Sequence, residues 1–175
     1  DGNGGTLASN PTTYRVVDGT FTLNNPSRTG YRFTGWTGSN GGTPQTTVTI
    51  PTGSTGYRNY KANWQANSYT ITFNSNQGST VNPKTVTYDS SSGNTASVPT
   101  KTGYIFEGWY TSGGALVYNA NGSFSSASHH WSDSGIWKST NDLTVYAHWR
   151  PAKMTISYNA ANGEVTSSSY KKNSE

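Results

Sequence analysis

The 175-residue chain lacks cysteine, has few charges and has no long apolar run, and each shortage excludes a class of protein or site. Without cysteine there is no disulfide bond, no thiolate zinc site and no cysteine nucleophile. The 12 basic residues are dispersed, with Lys171 and Lys172 the one adjacent pair, whereas nucleic-acid binders cluster such charge on one face. No window reaches the roughly 18 apolar residues of a membrane span. No secretory leader is recognisable, so any signal peptide is expected outside this sequence.

Aromatic residues are abundant instead. They make up 13% of the chain, with 6 Trp and 12 Tyr, while charged residues account for only 11%. A disordered chain would show the opposite balance, so a core built from a few large rings is expected, each burying about 150–250 Å². Apolar and polar residues alternate at 69–74 and 144–149, and no long segment carries a helical apolar stripe. The sequence predicts a β-rich fold, α+β at most, with few or no helices.

An internal repeat organises the chain. Residues 26–36 return as residues 99–109, an offset of 73 positions at which seven of the eleven residues are identical. Residues 60–64 correspond to residues 145–149 at an offset of 85 positions, so the second copy carries about twelve extra residues. Such self-similarity is typical of modular repeat proteins.

A similar strand follows the last Trp of each copy, at residues 69–74 and again at 154–159. A third copy therefore begins near the C-terminus, and the sequence is expected to come from a longer array. The expected modules are a first at 1–66 that lacks its opening strand, a second at 67–152 with an insertion near 119–138, and the start of a third at 153–175.

The repeated motif Gly-Tyr-x-Phe-x-Gly-Trp, at residues 30–36 and 103–109, is followed by a closing Tyr-Ala-x-Trp at residues 146–149. This pattern resembles the internalin-type B-repeat, also called the Listeria–Bacteroides repeat, over nearly the whole chain. The resemblance implies tandem β-grasp-like modules on secreted or wall-anchored bacterial surface proteins, often adhesins, and it implies no catalytic residues. The first copy departs from the pattern with Tyr-Lys-Ala-Asn-Trp at residues 60–64, which is not expected to change the fold.

Four tryptophans recur at equivalent positions, and we expect them to form module cores rather than a ligand platform. In the second module, Trp109 and Trp149 are expected to share a core with Ile71. The glycines at 30, 35, 103 and 108 are expected to serve turns with positive φ or close strand approach. The predicted repeat core consists of Tyr31, Phe33, Trp36, Trp64, Tyr104, Phe106, Trp109 and Trp149.

The insertion contains the one candidate ligand or partner surface, formed by His129, His130, Trp131 and Trp137. Aromatic planes beside polar groups suit sugar stacking or partner anchoring, and at least one exposed ring is expected there. The alternative is that the insertion folds back and buries both tryptophans in a core of its own. A metal site at His129, His130 and Asp133 is not expected, because neighbouring side chains of an extended strand point to opposite faces. No cofactor is predicted.

Two functions agree with these features. The leading prediction is a non-enzymatic repeat region that acts as an adhesive or spacer module through protein–protein contact, on a bacterial cell surface or secreted. The alternative is a carbohydrate-binding module that uses the insertion. The expected partners are accordingly a host or bacterial surface protein, or a glycan. Catalysis is not expected, because no nucleophile-elbow motif or carboxylate pair is recognisable.

The chain termini predict strand exchange between molecules. The first copy begins at its turn, so the strand equivalent to residues 69–73 is absent from it, and an unpaired sheet edge invites another strand. Residues 154–159 carry the matching pattern, with Ile156 and Tyr158 aligned with Ile71 and Phe73. A neighbouring molecule is the expected donor, and the alternative is that this segment pairs within the second copy.

Overall fold

The computed structural model describes residues 1–159 and 165–171, with side chains to residue 156, and these residues form twelve strands and no helix. The β-rich prediction is therefore confirmed, while the β-grasp-like arrangement stays a prediction. The chain divides into two compact units, Asp1–Ser68 and Tyr69–Glu175, here called unit 1 and unit 2.

Unit 1 contains two small antiparallel sheets. One has the order β3-β2-β5 and the other pairs β1 with β4. Its buried apolar core is small and consists of Trp36, Val48, Ile50 and Ala62. The strands are β1 (Phe21–Thr22), β2 (Tyr31–Gly38), β3 (Gly41–Gln45), β4 (Thr49–Ile50) and β5 (Tyr60–Ala66).

Unit 2 is built on a five-stranded sheet with the order β7-β6-β10-β8-β9. Its strands are β6 (Ser68–Asn74), β7 (Lys84–Thr87), β8 (Tyr104–Tyr110), β9 (Leu116–Asn119) and β10 (Leu143–Pro151). The first and last of these, β6 and β10, lie side by side in parallel, with Ile71 opposite Leu143 and Phe73 opposite Val145. Ile71 and Phe73 are buried and alternate with exposed threonines, as the period of two predicts for a half-buried strand.

A bulge with a glycine stands at the same place in both units. In unit 1 the register between β2 and β5 shifts between Phe33 and Gly35. In unit 2 the register between β8 and β10 shifts at the equivalent place, between Phe106 and Gly108. The φ angles of the two glycines are 137° and 138°, a region that side chains rarely adopt. A Cβ on Gly35 would lie 2.5 Å from a backbone nitrogen of the neighbouring strand. The predicted backbone role of these glycines is confirmed.

The third copy forms a hairpin of its own. Strand β11 (Lys153–Asn159) pairs in antiparallel fashion with β12 (Val165–Lys171), from Lys153 opposite Lys171 to Asn159 opposite Val165. The alternative in which residues 155–158 pair within the second copy is therefore wrong, because the chain that follows supplies a local partner. Donation of this segment to another molecule stays a prediction.

Candidate binding surfaces in the two units

The repeated aromatic residues make the same contacts in both units. The Phe33 ring meets Trp36 and Trp64 edge-on, with centroid distances of 5.4 Å and 5.5 Å. In unit 2, Phe106 meets the two equivalent tryptophans edge-on at 5.4 Å each. Such geometry places the positive edge of one ring against the negative face of another.

The tryptophans differ in depth. Trp36 and Trp109 are buried, whereas Trp64 and Trp149 are partly buried and pack against the cores. The outer indoles are tied to the opening turns, because Trp64 Nε1 donates to the Gly2 carbonyl at 3.0 Å and Trp149 Nε1 donates to the Ser75 carbonyl at 2.9 Å. The four tryptophans therefore hold the scaffold together.

Tyr31 and Tyr104 do not belong to either buried core, which corrects the prediction that placed them there. Both rings are half-buried and each is covered by a cation: the Arg28 guanidinium lies 3.8 Å from the Tyr31 centroid, and Lys101 Nζ lies 4.6 Å from that of Tyr104. Because the phenol needs water or a polar partner, the motif Tyr is suited to the rim. In each unit the basic residue three positions before the Tyr covers the ring of that Tyr.

The tryptophans of the insertion are buried, so neither of them supplies the exposed ring that the sequence predicts there. Trp131 is 3% exposed and Trp137 is 0% exposed. Their rings meet edge-on at 4.9 Å, and Trp131 also lies 5.8 Å from the ring of Tyr118, which is itself fully buried. The backbone of Trp137 is fixed by hydrogen bonds with Asp89 and Ser90, at 2.9 Å and 3.0 Å.

The physical reason is the size of an indole. Leaving two such rings in water forgoes the gain from burying their apolar surface, and a loop of about twenty residues is long enough to fold back. The insertion extends the core of unit 2, as the alternative interpretation held.

The two histidines of the insertion differ in exposure. His129 is exposed, while His130 is 9% exposed and stacks on Trp137 with a centroid distance of 5.8 Å. Burial, and then the nearby His129, lowers the pKa of His130 to about 4, so its imidazole is neutral at pH 7. Within residues 1–156, no protein group hydrogen-bonds to His130 Nδ1 or to Nε1 of Trp131 or Trp137.

The histidine rings lie only 4.0 Å apart, because residues 125–131 form successive turns rather than an extended strand. The argument from opposite strand faces therefore does not apply here. In the described part of the chain, no group of three or more His, Cys, Asp or Glu could hold a metal ion. The same residues contain no helix long and apolar enough to cross a membrane.

Unit 1 instead has an apolar opening beside β5. A cavity of about 280 Å³ is lined by Tyr14, Phe21, Leu23, Ile50 and Tyr60 among others. A neighbouring cavity of about 370 Å³ shares Leu23 and Tyr60 and extends to Trp36. Sequence reasoning predicted an open edge in this unit but did not name the residues that line it.

Comparisons with known proteins agree with this architecture. A family model described as the Listeria-Bacteroides repeat domain matches residues 69–148, and one described as the divergent InlB B-repeat domain matches residues 1–68. A protein of Evansella cellulosilytica named "Putative Gly-rich membrane protein" is 28% identical over 141 residues, which cover 79% of this chain and 15% of that relative. The chain thus spans about 15% of the length of the relative it matches. No solved structure matches the chain.

Proposed function

The chain belongs to the Listeria–Bacteroides repeat family of surface-protein repeats, and from this membership and the packing we propose that its units are non-enzymatic modules of an extracellular bacterial protein. They act as spacers that hold other parts of the protein away from the cell, or as adhesive modules through protein contact. The cell surface or secretion is the matching location.

The observation that carries this proposal is that the repeated residues make the structural contacts of each unit. The Trp, Phe and Gly positions of the motif fix turns, bulges and ring contacts in both units, with the same partners each time. What is repeated is therefore the scaffold. In repeat proteins of this kind, stability is approximately a sum of unit and interface terms, which suits a modular spacer.

The carbohydrate-binding alternative loses its sequence basis, because Trp131 and Trp137 are buried. A glycan array with the labelled full chain tests it directly, and no binding is expected. A signal that disappears in a His129→Ala variant would instead place a lectin site at the insertion, since His129 is the exposed member of the candidate surface.

A surface-display experiment tests the spacer role. The chain is placed between an epitope tag and a wall anchor on a bacterial cell, and the tag is expected to survive brief protease treatment. Trp109→Ala should lead to loss of the tag, because Trp109 is fully buried. The control is Ile105→Ala on the same strand, where the residue is 39% exposed, and this variant should keep the tag. Equal loss from the native chain and from a flexible Gly/Ser linker would contradict the proposal.

A further inference from the structure

The chain contains four Asn-Gly steps, which are candidate sites of spontaneous chemical modification. In such a step the backbone nitrogen of the glycine attacks the side-chain carbonyl carbon of the asparagine, and the glycine has no side chain to obstruct the approach. Three steps, at Asn3, Asn40 and Asn121, lie among the residues whose side chains the structure describes, and the fourth, at 162–163, lies outside them. The surroundings of the three asparagines differ, so the structure distinguishes steps that share one dipeptide sequence.

At two of these positions the side-chain nitrogen, which must leave as ammonia, is held by hydrogen bonds. Asn3 Nδ2 donates to the Ala62 carbonyl at 3.2 Å. Asn40 is half-buried, and its Nδ2 donates to the Trp36 carbonyl at 2.8 Å and to Gln45 Oε1 at 3.2 Å. Conversion of Asn40 to aspartate would place a carboxylate against the Trp36 carbonyl, and two acceptors in contact are unfavourable. Both sites are therefore expected to be protected.

Asn121 is exposed, and its side chain is bonded through the oxygen instead. Asn121 Oδ1 accepts from Ser123 N at 3.0 Å and from Ser123 Oγ at 2.7 Å. A backbone N–H can only donate, so the atom that it meets is the oxygen of the side-chain amide. Attack on the carbonyl carbon moves negative charge onto this oxygen, and two donors at these distances stabilise that charge. Ser123 therefore favours at Asn121 the reaction that the hydrogen bonds of Asn3 and Asn40 oppose.

We propose that Asn121 is a self-modification site at the start of the insertion, which converts to aspartate and isoaspartate without an enzyme. The Gly122 nitrogen forms a bond to Cγ of Asn121, and the bond between Cγ and Nδ2 breaks. The proton of the Gly122 nitrogen passes through water to the side-chain nitrogen, which leaves as ammonia. Water then opens the cyclic imide at either of its two carbonyls. One opening gives aspartate, and the other continues the main chain through Cγ, which is isoaspartate.

One hydrogen bond must break before the attack. Gly122 N donates to the Asn119 carbonyl at 2.8 Å and closes the turn that follows β9, so the reaction is slow in the folded chain. Its isoaspartate product adds a methylene carbon to the main chain directly before Gly122, whose carbonyl accepts from Ala96 N at 2.7 Å. The age of the chain is thereby linked to loosening of this turn. The inference holds whether the units are spacers or adhesive modules.

Timed incubation of the full chain at pH 8 and 37 °C tests the proposal. Peptide mapping by mass spectrometry follows the conversion at each Asn-Gly step, and the same incubation in concentrated urea provides the unfolded reference. In the folded chain Asn121 should convert about tenfold faster or more than Asn3 and Asn40, and in urea the rates should converge. Conversion of Asn121 no faster than that of Asn40 in the folded chain, or a lead of Asn121 that persists in urea, would overturn the proposal.

Substitution of Ser123 tests the part played by its hydroxyl. Ser123→Ala should slow the conversion of Asn121 by about fivefold, the rate equivalent of one hydrogen bond. Ser123→Thr keeps a hydroxyl and should convert at close to the native rate. Ser126→Ala replaces an exposed serine of the same insertion and is the matched control, with no change expected. Conversion in Ser123→Ala as fast as in the native chain, or a Thr variant as slow as the Ala variant, would overturn the proposal.

Discussion

The two repeats carry the same motif and the same ring geometry, yet they differ in how much they bury. Within the described residues, the core of unit 2 contains eleven buried residues and that of unit 1 contains four. The additional burial comes from β6 and from the insertion, which supply Ile71, Phe73, Trp131 and Trp137. The motif therefore defines a local arrangement of a turn, a glycine bulge and tryptophan rings. How deeply these rings are buried depends on the strand and loop that pack over them.

The largest expected effect comes from replacing each of the two equivalent buried tryptophans by alanine. Trp109→Ala should lower the free energy of unfolding of unit 2 by about 3–5 kcal/mol, because a fully enclosed ring leaves a cavity. Trp36→Ala should cost unit 1 less, since its surroundings already border open cavities and can relax. Urea titration followed by residue-resolved NMR reads each unit separately. Equal losses in the two units would contradict the comparison.

The pH dependence of stability should differ between the units, because only unit 2 contains histidine. The three histidines lie at positions 129, 130 and 148. His130 has its pKa lowered from 6.5 to about 4 in the folded state, so the unfolded chain binds the proton more readily. The stability of unit 2 should be complete above about pH 6.5 and fall by up to about 1.4 kcal/mol per pH unit down to pH 4, about 3 kcal/mol in total.

Urea midpoints measured between pH 4 and pH 7 check this expectation. His130→Phe keeps a ring against Trp137 but removes the titrating group, so its profile over this range should be flatter than that of the native chain. A profile as steep as the native one would assign the effect to another group.

The smallest expected effect concerns the opening turn, which both units share. Asn3 and Asn76 have φ angles of 45° and 46°, and their side-chain amides donate to the carbonyls of Ala62 at 3.2 Å and Ala147 at 2.8 Å. Replacement by Ala should cost about 1–2 kcal/mol in either unit, from the lost hydrogen bond and the positive φ. Replacement by Gly, which tolerates the φ angle, should cost less. A loss in one unit alone would show that the opening turns are not equivalent.

Much of this fold could be predicted from the sequence because repeated residues report their own environment. A Trp or Gly that returns at a fixed offset in a polar chain must satisfy the same packing or backbone need twice, and this predicted the packed tryptophans and the glycine bulges. Tyr31 and Tyr104 were placed wrongly because repetition does not distinguish a buried ring from one covered by a cation at the rim.

The insertion was harder to predict because it occurs once. Nothing in the order of residues 129–137 shows whether the indoles face water or the interior, since that depends on the backbone contacts of Trp137 with Asp89 and Ser90, about fifty residues earlier in the chain. The partner of β11 was missed for a related reason. Residues 165–171 are rich in serine and carry little apolar alternation, so their strand follows from pairing with β11 rather than from local pattern.

The parallel pair β6–β10 has a mechanical consequence. These strands open and close the sheet of unit 2, so tension applied through the flanking chain pulls the start of β6 and the end of β10 in opposite directions. The load then acts along the strands, and the hydrogen bonds between them must break together in shear rather than one at a time. Under an extending force, this ladder should make unit 2 resist unfolding until its hydrogen bonds fail together.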